Sequence, residues 1–175
     1  MLIHCTKKLA VKLAKVSADP LTDTNCFGAW HANLYTLDRR NCVLFCHDQT
    51  RFSLFKAGLK KDDFTNLDYW FPDLLANVLL KSGYETELIE NALDLLDPLQ
   101  FDTHCDRSVQ GTMRVTAFDL EAFICQQFGN VMEAPIYSTS VHLNQRPVTV
   151  KGQRDCIWPD KAMGEWLDRL AQTLH

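Results

Sequence analysis

Apolar and polar positions change their period several times along the chain, and each change marks an element. Residues 1–5 read as a short strand, after which Thr6 is placed to cap a helix with Leu9, Leu13 and Val16 on one side and Lys8, Lys12 and Lys15 on the other. Residues 17–27 gather Ser17, Asp19, Pro20, Thr22, Asp23, Thr24 and Asn25, a loop composition. Three β-rich stretches follow, roughly 28–37, 42–47 and 51–57, separated by Asp38-Arg39-Arg40-Asn41 and Asp48-Gln49-Thr50. Gaps that short demand antiparallel hairpins, because a parallel crossover needs about a dozen residues or more. Val43, Leu44 and Phe45 are apolar on both faces, which predicts a strand buried on two sides.

Beyond residue 62 the period becomes helical. Phe71, Leu74, Leu75, Val78 and Leu79 share one face, with Gly83 placed to stop the helix. Pro72 is tolerated near a helix start, so the main helix is expected from about Phe71, preceded by a turn or short helix over 63–70 with Thr65 and Asp68 as its cap. Ile89, Ala92, Leu93 and Leu96 predict a second helix ended by Pro98, and alternation from Leu99 to His104 predicts a strand with Leu99, Phe101 and Thr103 inward. Asp106 or Ser108 can cap a helix carrying Val109, Met113, Ala117, Leu120 and Ile124, which ends at Gly129. Residues 130–157 are weakly periodic, with an extended segment expected around Tyr137–Leu143 or Val148–Val150. A closing helix opens at Pro159 and sets Met163, Trp166, Leu167, Leu170 and Leu174 on one side.

With 46% hydrophobic residues in 175, the chain can build one core. The expectation is a single α+β domain spanning 1–175: an antiparallel meander sheet of four to five strands with helices packed mainly on one face. No leader pattern opens the sequence and no apolar stretch approaches the ~20 residues of a membrane span, so neither secretion nor a membrane partner is expected. Seven cysteines, an odd number without disulfide-scaffold spacing, read as free thiols in a reducing cytoplasm. The net charge of −4 hides a segregation: residues 1–61 hold ten Lys/Arg and four Asp/Glu, and residues 62–106 hold one and eleven. Such asymmetry marks either an anionic partner for one face or two elements attracting each other across the fold.

Two places carry candidate chemistry. Arg107 and Ser108 open a helix, where unpaired N–H groups and the dipole favour an anion; the plainer alternative is a cap beside a solvated arginine. Gly111 inside that helix points to close approach of a ligand or of a neighbouring strand. On the first meander strand, His31 and Asn33 share a face opposite Trp30, Ala32 and Leu34, so His31 is the candidate acid/base group and Asn33 an orienting amide; a solvated polar face is the plainer alternative. His4-Cys5, Cys46-His47 and His104-Cys105 fall on strands, but neighbouring strand residues face opposite ways and no Cys-x-x-Cys is present, so no metal site is assigned. Arg39, Arg40, Arg51, Lys56, Lys60 and Lys61 lie near Trp30, Phe52 and Phe55, a mixture that can bind single-stranded nucleic acid, although the net charge is far from the basic profile of such proteins. Phosphate-loop, hydrolase, zincin and dinucleotide motifs are absent, and no cofactor is implied.

Four segments together, HCTKKL, AWHANLYTLDRRNCVLF, FSLFKAGLKKDDFTNLD and DRSVQGTM, resemble a family of small bacterial proteins classed as a domain of unknown function. The resemblance implies a stand-alone bacterial cytoplasmic protein and assigns no catalytic residue.

The function expected first is a noncatalytic binding or regulatory protein that recognises an anionic small molecule or a protein partner through His31, Asn33, Arg107 and Ser108. The second is an enzyme acting on a phosphate-bearing substrate, with His31 as acid/base and Arg107 stabilising charge. The third is nucleic-acid binding through the basic meander.

Overall fold

The computed structural model describes residues 1–150 and 152–174, and of Leu174 the backbone alone. Its strands are β1 (Leu2–Cys5), β2 (Trp30–Leu37), β3 (Arg40–His47), β4 (Ser53–Leu59) and β5 (Gln100–Asp102). Its helices are α1 (Lys7–Ala10), α2 (Lys61–Thr65), α3 (Leu67–Ser82), α4 (Thr86–Asp94), α5 (Arg107–Gln127), α6 (Ile136–Asn144) and α7 (Pro159–Leu174). The short gaps after β2 and β3 force the expected meander, and the first is a two-residue turn in which Asp38 and Arg39 both have positive φ (46° and 62°). That geometry matches the right-handed twist of the flanking strands.

The sheet is mixed rather than purely antiparallel. Its order is β4-β3-β2-β1-β5, and β1 runs parallel to both β2 and β5. Long connections make this possible: the 6–29 segment returns the chain from β1 to β2, and α2, α3 and α4 separate β4 from β5.

Alternation along β3 builds two cores. Val43 and Phe45 face a large cluster with Ile3, Trp30, Phe71, Leu75 and Met163, under α1, α3, α4 and α7. Cys42, Leu44 and Cys46 face a second cluster with Phe55, Val109, Met113, Leu120 and Ile124, where α5 crosses the opposite face. Each large side chain buried this way contributes roughly 1.5–3 kcal/mol. The doubly apolar middle strand is thus covered on both sides.

Three elements depart from the sequence pattern. α1 is a single turn, because only Leu9 meets the sheet; the chain then leaves, and the Ser17 N–H donates to the Phe101 carbonyl (2.8 Å) along the outer edge of β5. α3 begins at Leu67, four residues before Phe71, and Pro72 lies within it; Thr65 ends α2 and caps nothing, while the Asp68 carboxylate accepts from the Leu99 N–H (2.6 Å). Gly83 stops α3 with φ +89°, as expected.

The third departure is Tyr137–Leu143, one of two places where an extended segment was expected, which lies within α6. Its β-branched residues suit a strand, but helical spacing puts Ser140 and Asn144 on one face against the open edge of β4. There the Asn144 amide accepts from the Ser53 N–H (2.7 Å) and donates to the Ser53 carbonyl (2.9 Å), and Ser140 Oγ accepts from the Phe55 N–H (2.9 Å). Side chains of a helix therefore do the work of a sixth strand and cover the edge. Val148 pairs only in an isolated bridge with Ile157, and the Leu174 side chain, expected on the buried stripe of α7, lies outside the described residues.

Asn144→Ala leaves a buried N–H and carbonyl of Ser53 unpaired and is expected to lower stability by about 1–3 kcal/mol in urea denaturation. A second measurable consequence concerns His47, whose neutral ring donates to the Phe27 carbonyl, accepts from Thr50 and packs against Trp30 and Trp166. Burial pushes its pKa down from 6.5 to about 4. The unfolded chain takes up this proton at higher pH than the native one, so stability falls as pH drops from about 6.5 to about 4. The loss is on the order of 3 kcal/mol and should be smaller in His47→Gln, by chemical denaturation across that range.

Candidate functional site

Strand register assembles a polar row on the face that α5 crosses. Across the sheet run Asp102 (β5), His4 (β1), His31 (β2), Cys46 (β3) and Ser53 (β4), each paired with the next. One pleat further along stand Thr6 and Asn33, joined by a hydrogen bond from Thr6 Oγ1 to Asn33 Oδ1 (2.7 Å), and then Tyr35. This bond explains why Thr6 makes no side-chain cap on α1.

His31 is closed off within this row. It is 1% exposed; its Nδ1 lies 2.6 Å from Asp48 Oδ1, and its Nε2 accepts from the Asp106 N–H (2.7 Å). Accepting at Nε2 fixes the neutral tautomer with the proton on Nδ1, donated to Asp48. Both nitrogens are spent on pinning the start of α5 to the sheet, so His31 holds no nitrogen for a substrate. Ser108 belongs to the same knot: its Oγ accepts from Arg51 Nη2 (3.2 Å), while Arg51 Nη1 donates to the Asp48 carbonyl (2.5 Å). The α5 N-terminus is itself occupied, because the Asp106 carboxylate accepts from the N–H groups of Val109 and Ser108. Those bonds, outweighing some desolvation, with His31 and Arg51 nearby, hold the Asp106 carboxyl below its ordinary value. Asp106, one of the two residues expected to cap this helix, therefore does so.

Arg107 and Asn33 instead face a groove between β2 and α5 of about 480 Å³, walled by Thr6, Asn33, Tyr35, Gln110 and Gly111 with Arg107 and Arg114. Arg107 and Arg114 are seven residues apart, two turns of helix, and so share a face. Neither makes an ion pair among the described residues, and no carboxylate stands in the groove wall. A Cβ built on Gly111 meets nothing within 4 Å, so neighbouring packing does not require the glycine. The four sequence candidates thus divide into a buried knot (His31, Ser108) and a groove (Asn33, Arg107).

At the end of the row His4 makes a second histidine–carboxylate pair. Its Nδ1 lies 2.6 Å from Asp102 Oδ1, and Asp102 is fully buried although the alternation of 99–104 pointed it outward. Burial alone would raise its carboxyl, but hydrogen bonds from the Leu21 N–H, the His4 ring and the His104 N–H outweigh that and hold it below the ordinary carboxylate range. The His4 ring stays 16% exposed and lies 4.9 Å from that of His31.

No group of three or more His, Cys, Asp or Glu able to hold a metal ion occurs among the described residues, and Cys46 and His47 face opposite sides of β3. Burial raises the thiols of Cys5 and Cys46 to about 12, so both are protonated and inert at neutral pH. Trp30, Phe52 and Phe55, grouped above with the basic residues, are all core side chains with no face left for a base to stack on.

Residues 2–162 match the family described as a domain of unknown function (DUF6933). The chain belongs to that family. No curated protein matches the DUF6933 chain in sequence. Among its described residues no helix is long and apolar enough to cross a membrane.

Four groups at this candidate site were not among the sequence candidates. Arg114 and Gln110 were recoverable from helical spacing to Arg107, and Tyr35 from strand alternation with His31 and Asn33. The His4–Asp102 pair was not, because it joins residues 98 apart through β1–β5 pairing. Since Gly111 has room for a methyl group, Gly111→Ala is expected to stabilise the domain by about 0.5–1 kcal/mol, read from thermal or urea unfolding.

Proposed function

We propose that this DUF6933 protein binds a small anionic molecule in the groove between β2 and α5, as a noncatalytic binding or regulatory protein. One observation carries the reading: in a chain of net charge −4, two arginines without ion-pair partners among the described residues face a groove whose wall holds no acid. Guanidinium groups two turns apart can hold a phosphate or carboxylate through paired charged hydrogen bonds. The side-chain N–H groups of Asn33 and Gln110 add neutral donors for the oxygens. Gly111, which lowers helix propensity and answers to no packing neighbour, leaves the floor open for close approach. The knot of His31, Asp48, Arg51 and Ser108 keeps the first turn of α5 at a fixed distance from β2 and so sets the width of the groove.

Titration calorimetry with inorganic phosphate at low ionic strength should detect binding that weakens as salt is added. Arg107→Ala and Arg114→Ala should each reduce affinity about tenfold or more, the size of a lost charged hydrogen bond. Affinity unchanged in both variants, or no binding by the wild-type protein, overturns the proposal.

A further inference from the structure

We infer that the exposed crest of α5 is a self-association surface, on which a second copy of this chain packs its own α5 antiparallel about a two-fold axis. This goes beyond the anion-groove reading and does not depend on it.

The inner side of α5 is spent on the second core through Val109, Met113, Leu120 and Ile124. On the opposite side Gly111, Val115, Phe118, Ala122 and Cys125 follow one another at intervals of three or four residues and so form a single stripe. That is the spacing of a helix that packs lengthwise on another helix. Val115 is 60% and Phe118 74% exposed. A lone exposed apolar side chain calls for no partner, but a continuous stripe of small and apolar residues marks a contact surface. A Cβ built on Gly111 meets nothing within 4 Å, which leaves that end of the stripe open to close approach.

Charge along one flank of the stripe selects the occupant. Arg107 and Arg114 stand in a groove wall that holds no acid. Further along the same flank a recess of about 310 Å³ is walled by Leu37, Asp38, Phe118, Glu121 and Cys125 and holds two acids and no base. Arg114, Asp38 and Glu121 make no ion pair among the described residues. A flank that is positive at one end and negative at the other is complementary to a second copy turned end for end, as a two-fold interface requires. Setting Arg114 of one copy beside Glu121 of the other brings Val115 opposite Phe118 and Gly111 opposite Ala122, so each larger side chain meets a smaller one. A parallel pairing would instead direct Arg114 to Asp119, which Arg146 already holds at 3.6 Å. Arg107 has no acid opposite it in the antiparallel arrangement and stays with the groove, while the guanidinium of Arg114 has donors enough for a carboxylate and a ligand oxygen together.

Sedimentation equilibrium in phosphate-free buffer at low ionic strength tests this. A contact of one helix per copy is at the small end of specific interfaces, so the wild-type protein should pass from monomer to dimer between about 1 and 200 µM. Phe118→Lys should weaken association about thirtyfold or more, the loss of a central aromatic anchor. Arg114→Glu and Glu121→Arg should each weaken it about tenfold or more, and the two together should restore it, because opposite charges face each other again. All three side chains are exposed, so thermal unfolding should show each variant folded. A wild-type protein that stays monomeric over the whole range overturns the proposal. So does a dimer that persists in Phe118→Lys, or a double variant that associates no better than the single ones. No ligand enters these measurements, so their failure leaves the phosphate titration standing, and the reverse holds as well.

Discussion

A buried carboxylate holds one side of this molecule together. Asp102 has no solvent contact, yet it gathers the Leu21 N–H from the loop after α1, the His4 ring from β1 and the His104 N–H from the turn into α5. Two segments remote in sequence and the adjacent turn thereby share one negative charge, and each supplies a donor that a buried carboxylate needs. Because β5 is only three residues long and lies at the sheet edge, backbone pairing with β1 alone would hold it weakly. The side-chain knot makes up the difference and, in the same stroke, sets where α5 begins.

Three histidines illustrate how one side chain takes different parts according to its hydrogen bonds. His47 lies in the apolar core with both nitrogens satisfied by backbone and Thr50, and burial keeps it neutral. His31 is equally satisfied and clamps the first turn of α5 through Asp48 and the Asp106 N–H. His4 alone is tied at one nitrogen and open at the other. The groove beside β2 takes its charge from the side chains of Arg107 and Arg114 rather than from the N–H groups of the first turn of α5, which Asp106 already caps.

Much of the fold was legible from local pattern. The meander followed from gaps too short for anything but hairpins, the doubly buried β3 from its unbroken apolar run, and the long α5 and α7 from helical stripes. The failures share a cause. Residues 136–144 have strand-like composition but become α6, because Ser140 and Asn144 are more useful as a helical pair against the bare edge of β4. The stripe Leu9, Leu13, Val16 promised three turns and yields one, since the chain is drawn off to cover β5. Among the candidate residues, Asn33 and Arg107 came from two separate local patterns and line one groove, and His31 could not be separated from His4 by composition.

What the sequence by itself determined is the set of short-range choices: where strands turn, where helices start and stop, which face of each is apolar. These depend on sterics and periodicity within a few residues, and they are written locally. Tertiary structure alone decided that β1 sits in parallel between β2 and β5, that Asp102 points inward, and which histidine keeps a free nitrogen. Each of those depends on a hydrogen-bond partner tens of residues away, and a donor's distance along the chain says nothing about its distance in space.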